Sequence, residues 1–231
     1  MNTKTTFIYT WKRCKIFLIA TILLLMSGIL LQIRFNKDDL FLFINHRHCL
    51  SVNNYLRYLT HLGDGLMMIA IAIAMTFFSY RNALTVAICY ATTSIVAQII
   101  KHILHAPRPI QYFKDKGISI QLIEGIKTHH WNSFPSGHTT TAFALGLIVS
   151  YCYCQRKPFF SNIGLLIIAS LIGFSRIYLA QHFFEDVLGG ASIGVIISFL
   201  TIYGLNKSQW FHKHWLNKGL IHQFKIRSNG K

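Results

Sequence analysis

Charged residues are scarce in this sequence, and acidic residues are the scarcest of them. Only 13% of the 231 residues are charged and seven residues are Asp or Glu, whereas 52% are hydrophobic. Six segments lack Asp, Glu, Lys and Arg altogether, and most of them approach the ~20 apolar residues that cross a bilayer. This pattern excludes a water-soluble protein. The charge-free segments are residues 16–33, 65–80, 82–100, 139–155, 158–175 and 187–206.

These segments predict an all-α fold, a polytopic bundle of six transmembrane helices. The connections are too short for a separate soluble domain, so we expect residues 1–231 to form a single integral membrane domain. The first segment could instead be a cleaved signal peptide, but it is too long and no small-x-small cleavage site precedes Arg34. Residues 65–80 are slightly short for a span and predict one arm of a hairpin that turns at Arg81. Residues 40–44 predict a short interfacial helix.

The net charge of +16 raises the possibility of a nucleic-acid partner. A basic recognition face must contact water, however, and most of this chain is expected to face lipid, so no nucleic acid is predicted. Lys and Arg collect in cytoplasmic connections, which favours an inner N-terminus and an inner basic tail, 207–231, lying on anionic lipid. The predicted site therefore faces the outside of a cytoplasmic membrane.

Cysteine and histidine outside the polar clusters predict no metal or redox chemistry. The five cysteines are odd in number, and Cys152 and Cys154 do not have the spacing of a zinc or redox pair. Most of the cysteines lie in or beside apolar segments, where Cys acts as a small hydrophobic residue. The remaining histidines are scattered without ligand-like spacing, which argues against a metal transporter.

The first of three polar clusters follows the third apolar segment. Lys101 alone could be an anchor whose amine reaches the membrane surface. Arg108 is harder to explain in that way, because Pro107 and Pro109 on either side lack an amide hydrogen and interrupt a helix. The two prolines therefore fix the backbone that carries the guanidinium.

The second cluster is Phe134-Pro135-Ser136-Gly137-His138, directly before the fourth apolar segment. Pro135 is typical of a helix start, and Ser136 and Gly137 place backbone amides at the positive end of a helix dipole, which binds anions. A simple helix cap would explain Pro135 and Ser136 equally well. It would not explain His138, whose imidazole could donate a proton near neutral pH.

The third cluster contains Ser175-Arg176, His182 and Asp186. His182 and Asp186 are four residues apart, so on a helix their side chains share a face and can form a hydrogen bond. A carboxylate that holds one imidazole nitrogen leaves the other nitrogen free as a nucleophile. A surface ion pair is the alternative for this pair alone, but it does not account for Arg176 or for the other two clusters.

Together the clusters supply the groups that phosphoryl transfer requires: positive charge for the equatorial oxygens, a nucleophile, and a proton for the leaving oxygen. They also resemble the signature of the type 2 phosphatidic acid phosphatase superfamily. That superfamily includes lipid phosphate phosphatases, undecaprenyl-diphosphate phosphatases and soluble vanadium haloperoxidases. Its three motifs occur here without a departure, within a family core of about residues 60–190. The matching residues are Lys101 with Arg108-Pro109, Pro135 to His138, and Ser175-Arg176 with His182 and Asp186.

The resemblance implies that His182 attacks phosphorus and forms a phosphohistidine, that Asp186 orients it, and that His138 protonates the leaving oxygen and then activates water. It implies no metal and no cofactor. The phosphate oxygens would be held by Lys101, Arg108, Ser136, Gly137 and Arg176.

We therefore predict an integral membrane phosphatase that hydrolyses a phosphomonoester or diphosphate of a lipid. The sequence leaves open which lipid this is: undecaprenyl diphosphate, phosphatidylglycerol phosphate, phosphatidic acid or a lipid A phosphate. Its partners would be this lipid phosphate and the surrounding membrane lipids, and the sequence does not specify an oligomeric state. One alternative is a phosphotransferase that passes the phosphate to another lipid. A second alternative is a non-catalytic membrane protein that only binds anions, although it leaves the spacing of His182 and Asp186 unexplained.

Overall fold

The computed structural model describes residues 3–155 and 158–222, and every regular element in these ranges is helical. The predicted all-α fold is therefore confirmed. Short 3-10 turns occur at Thr60–Gly63, Trp210–His212 and His214–Asn217. The α-helices of the described ranges are α1 (Thr3–Arg34), α2 (Lys37–Asn45), α3 (Leu50–Leu59), α4 (Gly65–Thr76), α5 (Tyr80–Leu104), α6 (Pro109–Asp115), α7 (Gly137–Tyr153), α8 (Pro158–Tyr178) and α9 (Phe184–Lys207).

Four helical segments are long and apolar enough to cross a membrane, and a fifth results if one bent pair of helices counts as a span. The four are α1, α5 together with α6, α8 and α9. The bent pair joins α3 and its 3-10 turn to α4 at an angle of 53°. Six spans are not confirmed. Two of the expected spans are too short. Helix α7 has 17 residues and α4 has 12, so at ~1.5 Å per residue each helix is shorter than the ~30 Å hydrocarbon core.

Helix α1 shows how these helices divide their surface between protein and lipid. Leu30 and Ile33 are 65% and 77% exposed, whereas Cys14 and Phe17 are buried in the core. Large apolar side chains along a whole helix face are unfavourable in water, but they are the expected surface in hydrocarbon. The exposed face of α1 therefore fits a lipid-facing position.

Helix α7 occupies the centre of the bundle, and its N-terminal half packs closely against α9. Small residues make this approach possible. A Cβ atom on Gly194 would lie 2.4 Å from the carbonyl oxygen of Thr140, and one on Gly190 would lie 2.6 Å from that of Ser136. Close packing between α7 and α9 brings the start of α7 beside the start of α9, where two of the predicted motifs lie.

Helices α2, α3 and α6 cover the same end of the bundle. The predicted helix at 40–44 is part of the longer α2, while α3 was not predicted. Phe41 of α2 is fully buried and packs against Phe113 of α6 and Phe183, with ring centroids 5.0 and 5.5 Å apart. The long connection between α5 and α7 is held against α2 through two hydrogen bonds of 2.8 Å between Asn45 and the backbone of Gln121.

The basic tail packs against the opposite end of the bundle. The Tyr80 amide donates to the Lys218 carbonyl at 3.1 Å, and the Ile221 amide donates to the Phe77 carbonyl at 3.2 Å. Residues 207–222 of the predicted surface tail thus contact the turn between α4 and α5. Residues 223–231 of that tail, and Arg156 and Lys157, lie outside the described residues.

Candidate active site

His182 and Asp186 are brought together at the start of α9. Nδ1 of His182 lies 3.3 Å from Oδ2 of Asp186, and both side chains are only 2% exposed. The predicted helical geometry is wrong in one respect, because His182 precedes the helix and only Asp186 belongs to its first turn. The pair still meets, since the carboxylate of Asp186 turns back to accept a hydrogen bond of 2.8 Å from the Phe183 amide.

The carboxylate of Asp186 has a third contact. Its Oδ2 atom also accepts a hydrogen bond of 2.5 Å from the hydroxyl of Ser133. Donors on several sides fix the carboxylate, and a fixed carboxylate fixes the ring of His182. In the tautomer that directs its Nδ1 proton to Asp186, His182 has a free lone pair on Nε2, which is the requirement for a nucleophile.

The environment of His182 keeps its imidazole neutral. Burial lowers the pKa of His182 well below its ordinary value, and the positive charges of Arg108, Arg176 and Lys101 lower it further. A neutral imidazole is the form that can act as a nucleophile. The same interactions show that the three cations predicted from separate motifs converge on one histidine.

Arg176 has a buried donor that no described residue satisfies. The residue is 8% exposed, and one of its terminal nitrogens donates to Thr60 Oγ1 at 2.7 Å. Its Nε atom is buried and has no hydrogen-bond partner among residues 3–155 and 158–222. An unpaired buried N–H of a guanidinium is unfavourable unless an acceptor binds there. A phosphate oxygen would be such an acceptor.

Lys101 and Arg108 are tied to one short segment, residues 130–133. The Lys101 amine donates to the Asn132 carbonyl at 2.8 Å, and Arg108 Nε donates to the Trp131 carbonyl at 3.1 Å. Arg108 also donates from its terminal nitrogen to Gln181 at 3.4 Å. Segment 130–133 thus positions both cations, and through Ser133 it also contacts the carboxylate of Asp186.

The start of α7 contributes Ser136, Gly137 and His138. The Ser136 amide, which we predicted as an anion donor, donates to the Asp186 carbonyl at 2.9 Å instead, because α7 and α9 begin side by side. Only the hydroxyl of Ser136 remains as a donor. Gly137 begins the helix, where amides have no intrahelical acceptor, and an added Cβ atom would meet no heavy atom of the described residues within 4 Å. A ligand can therefore approach the backbone closely at Gly137.

Two cavities meet at His138. The first has a volume of about 170 Å³ and is lined by Lys101, Gly137 and His138 together with polar residues of α5, namely Tyr90, Ser94 and Gln98. The second has a volume of about 240 Å³ and is lined by His138, Arg176 and Gln181, with Arg57 and Lys127 from outside the three motifs. A substrate therefore has space on both sides of this histidine.

Several residues of this site were not predicted from the sequence. Each of them contacts one of the predicted charged residues, and they are Ser133, Asn132, Gln181 and Thr60. Single polar residues in loops carry no distinguishing pattern, so no sequence signal identifies them. No group of three or more His, Cys, Asp or Glu in the described ranges could hold a metal ion.

Residues 82–210, more than half of the chain, match the sequence profile of the PAP2 superfamily. Phosphatidylglycerophosphatase B of Bacillus subtilis (strain 168) is 28% identical over 65% of this chain and 73% of its own length. An undecaprenyl-diphosphatase of Sulfolobus acidocaldarius is 26% identical over 84% of this chain and 90% of its own. Among solved structures, a transmembrane PAP2-type phosphatidylglycerolphosphate phosphatase from Bacillus subtilis has a TM-score of 0.60 at 23% identity, covering 85% of this chain and 96% of that one.

Proposed function

This chain belongs to the PAP2 superfamily and is a multi-pass membrane lipid phosphatase, and we propose that it releases phosphate from its substrate through a phosphohistidine on His182. The observation that carries this proposal is the buried contact between His182 and Asp186, with the charges of Lys101, Arg108 and Arg176 acting on the same imidazole. That arrangement provides both a nucleophile and an anion site. Within the described part of the chain, Arg176 Nε has no acceptor and can therefore donate to a phosphate oxygen.

The proposed reaction has two steps. In the first, Nε2 of His182 attacks phosphorus, the bond between phosphorus and the lipid oxygen breaks, and His138 donates a proton to that oxygen. In the second, His138 accepts a proton from water, the water oxygen attacks phosphorus, and the bond to Nε2 breaks. The products are inorganic phosphate and the dephosphorylated lipid. The phosphate oxygens are held in both steps by three cations and two uncharged donors. These are Lys101, Arg108, Arg176, the hydroxyl of Ser136 and the amide of Gly137.

We further propose that the chain crosses a cytoplasmic membrane six times as one domain, with the active site outside. The count includes α7, whose 17 residues reach the lower limit of the roughly 17–25 that form a span and would cross where the bilayer is locally thinned. It also counts the bent pair of α3 and α4 as one span. The site residues of α5, α7, α8 and α9 all lie at one end of the bundle, as this topology requires.

The proposal is tested by measuring phosphate release from detergent-solubilised protein with a lipid phosphate and a chelator. His182→Ala should lower kcat by a factor of about 10⁴ or more, because it removes the nucleophile.

His138→Ala should lower kcat by about 10²–10⁴ with a lipid substrate. With a phosphate ester of an acidic phenol it should lose less, since that leaving group needs no proton.

The matched control is His46→Gln, which changes an exposed histidine at the end of α2. It should keep the activity of the unmodified chain. Activity of His182→Ala comparable to that of this control would contradict the proposed nucleophile.

A further inference from the structure

The second cavity at His138 contains more positive charge than the transfer of one phosphate group requires. Arg57 and Lys127 line it together with Arg176 and His138. Arg57 belongs to α3 and Lys127 to the connection between α6 and α7, so neither residue is part of the three motifs. Their position beside the proposed acid therefore calls for a separate explanation.

Packing holds the backbone that carries the two cations, whose own side chains are exposed. Ile126, next to Lys127, packs on a buried cluster of Leu56, Tyr178 and Leu179, and Leu56 precedes Arg57 in α3. The backbone approaches the arginine closely as well, since a Cβ atom on Gly125 would lie 3.2 Å from a terminal nitrogen of Arg57. Gly125 has φ of +75°, which favours glycine, so the sequence suits this close approach.

The electrostatic field in this region is positive. The pKa of the neighbouring His129 is lowered, first by burial and then by the charges of Arg108, Lys127 and Arg176. The acidic residue of the cavity wall is Asp64, whose carboxylate accepts a hydrogen bond from the Leu66 amide at the start of α4. Even with Arg176 engaged by the transferred phosphate, this one carboxylate offsets only one of the two remaining cations, Arg57 and Lys127. The cavity is therefore suited to an anion.

The first cavity differs in its chemistry. Lys101 is the charged residue on its described wall, beside His138. The remainder of the wall is uncharged and consists of Tyr90, Ser94, Gln98, Thr140 and Thr141 with one alanine and three glycines. Uncharged polar groups suit hydroxyls better than a phosphate. Of the two cavities that adjoin His138, the one with Arg57 and Lys127 is thus better suited to a second phosphate.

We propose that the cavity lined by Arg57, Lys127 and Arg176 is a second anion subsite, which binds a further phosphate group in the leaving group of the lipid substrate. This inference rests on the proposed function, because His138 protonates the leaving oxygen and the remainder of the leaving group must lie beside that histidine. Two substrates have this chemistry. A lipid diphosphate carries the second phosphate next to the cleaved bond, and a glycerophosphate headgroup carries it as a phosphodiester across a glycerol.

The test compares kcat/KM for farnesyl diphosphate and farnesyl monophosphate, with phosphatidylglycerol phosphate as a third substrate, in the same detergent. Arg57→Gln and Lys127→Gln should each lower the ratio of diphosphate to monophosphate kcat/KM by about tenfold, because each removes one charged contact to the second phosphate. If the selective loss falls on phosphatidylglycerol phosphate relative to the monophosphate, the subsite binds the phosphodiester instead.

The matched controls are Arg47→Gln and Lys114→Gln, which remove exposed cations that do not line this cavity. They should leave every ratio at the value of the unmodified chain. Equal losses of kcat/KM on all three substrates would overturn the second subsite. Unchanged kcat/KM in both subsite variants would overturn it as well. Neither outcome would count against the phosphatase function. Failure of the unmodified chain to cleave any of the three would instead count against the proposed function.

Discussion

Ser133 shows that the carboxylate of Asp186 is held by more than its histidine partner. Oδ2 of Asp186 accepts hydrogen bonds from the Ser133 hydroxyl at 2.5 Å and the Phe183 amide at 2.8 Å, and His182 Nδ1 lies 3.3 Å away. Ser133 lies 53 residues from Asp186 in the sequence. It reaches the site because residues 130–133 are anchored to Arg108 and Lys101. We therefore interpret Ser133 as a positioning residue that acts through Asp186.

Replacing Ser133 with alanine should lower kcat by about tenfold with little change in KM, because a hydrogen bond to a charged group contributes roughly 1.5–3 kcal/mol. Ser133→Thr should retain most of the activity, since it keeps the hydroxyl. The measurement is steady-state phosphate release by the single variants and by a double variant with Asp186→Asn. If Ser133 acts through Asp186, its loss should have little effect once the carboxylate is gone. Fully multiplicative losses would contradict this role.

At the scale of elements, the contact between α7 and α9 positions the proposed acid, His138, relative to the proposed nucleophile, His182. His138 lies in the first turn of α7 and Asp186 in the first turn of α9. The Ser136 amide donates to the Asp186 carbonyl at 2.9 Å, which joins the two helix starts directly. Further along, Gly190 and Gly194 leave no space for a larger side chain against α7. The same contact explains why the Ser136 amide is unavailable to phosphate.

A comparison of two glycines in α9 tests this contact. Gly194→Ala should lower the free energy of unfolding by roughly 1–3 kcal/mol, because its Cβ atom would lie 2.4 Å from the Thr140 carbonyl oxygen and force the helices apart. Gly204→Ala is the matched control, since its Cβ atom would have no heavy atom within 4 Å. Alanine stabilises a helix relative to glycine by roughly 0.5–1 kcal/mol, so the control should match or exceed the original stability. Thermal unfolding in detergent measures the stability of the two variants. Equal stabilities of Gly194→Ala and Gly204→Ala would argue against a tight contact between α7 and α9.

At the scale of the whole molecule, the polar site and the basic tail occupy opposite ends of the bundle. The tail contacts the turn between α4 and α5 through Tyr80 and Phe77. Lys101 and Arg108 lie at the other end of the same α5 and just beyond it. A helix of 25 residues is about 38 Å long at ~1.5 Å per residue, which is enough to cross the hydrocarbon core. The two ends of α5 therefore fit opposite sides of a membrane.

Thiol labelling of intact cells tests the proposed orientation. The five native cysteines are first replaced, and a single cysteine is then introduced as Lys116→Cys or Lys213→Cys. A membrane-impermeant maleimide should label the first variant, near α6, without cell lysis, and the second only after lysis. Labelling in the reverse pattern would place the active site on the cytoplasmic side.

The sequence by itself determined the chemical inventory and the membrane environment of this protein. Charge-free segments indicated the apolar helices, and the spacing of the three motifs led to the roles proposed for His138, His182, Asp186 and the cations, because both signals are local in the chain. The tertiary structure decided how these parts meet. It placed His182 ahead of α9, used the Ser136 amide for a contact between helices, and brought Ser133 and Arg57 to the site. These contacts join residues distant in sequence, and they depend on how closely two helices approach, which no local pattern encodes.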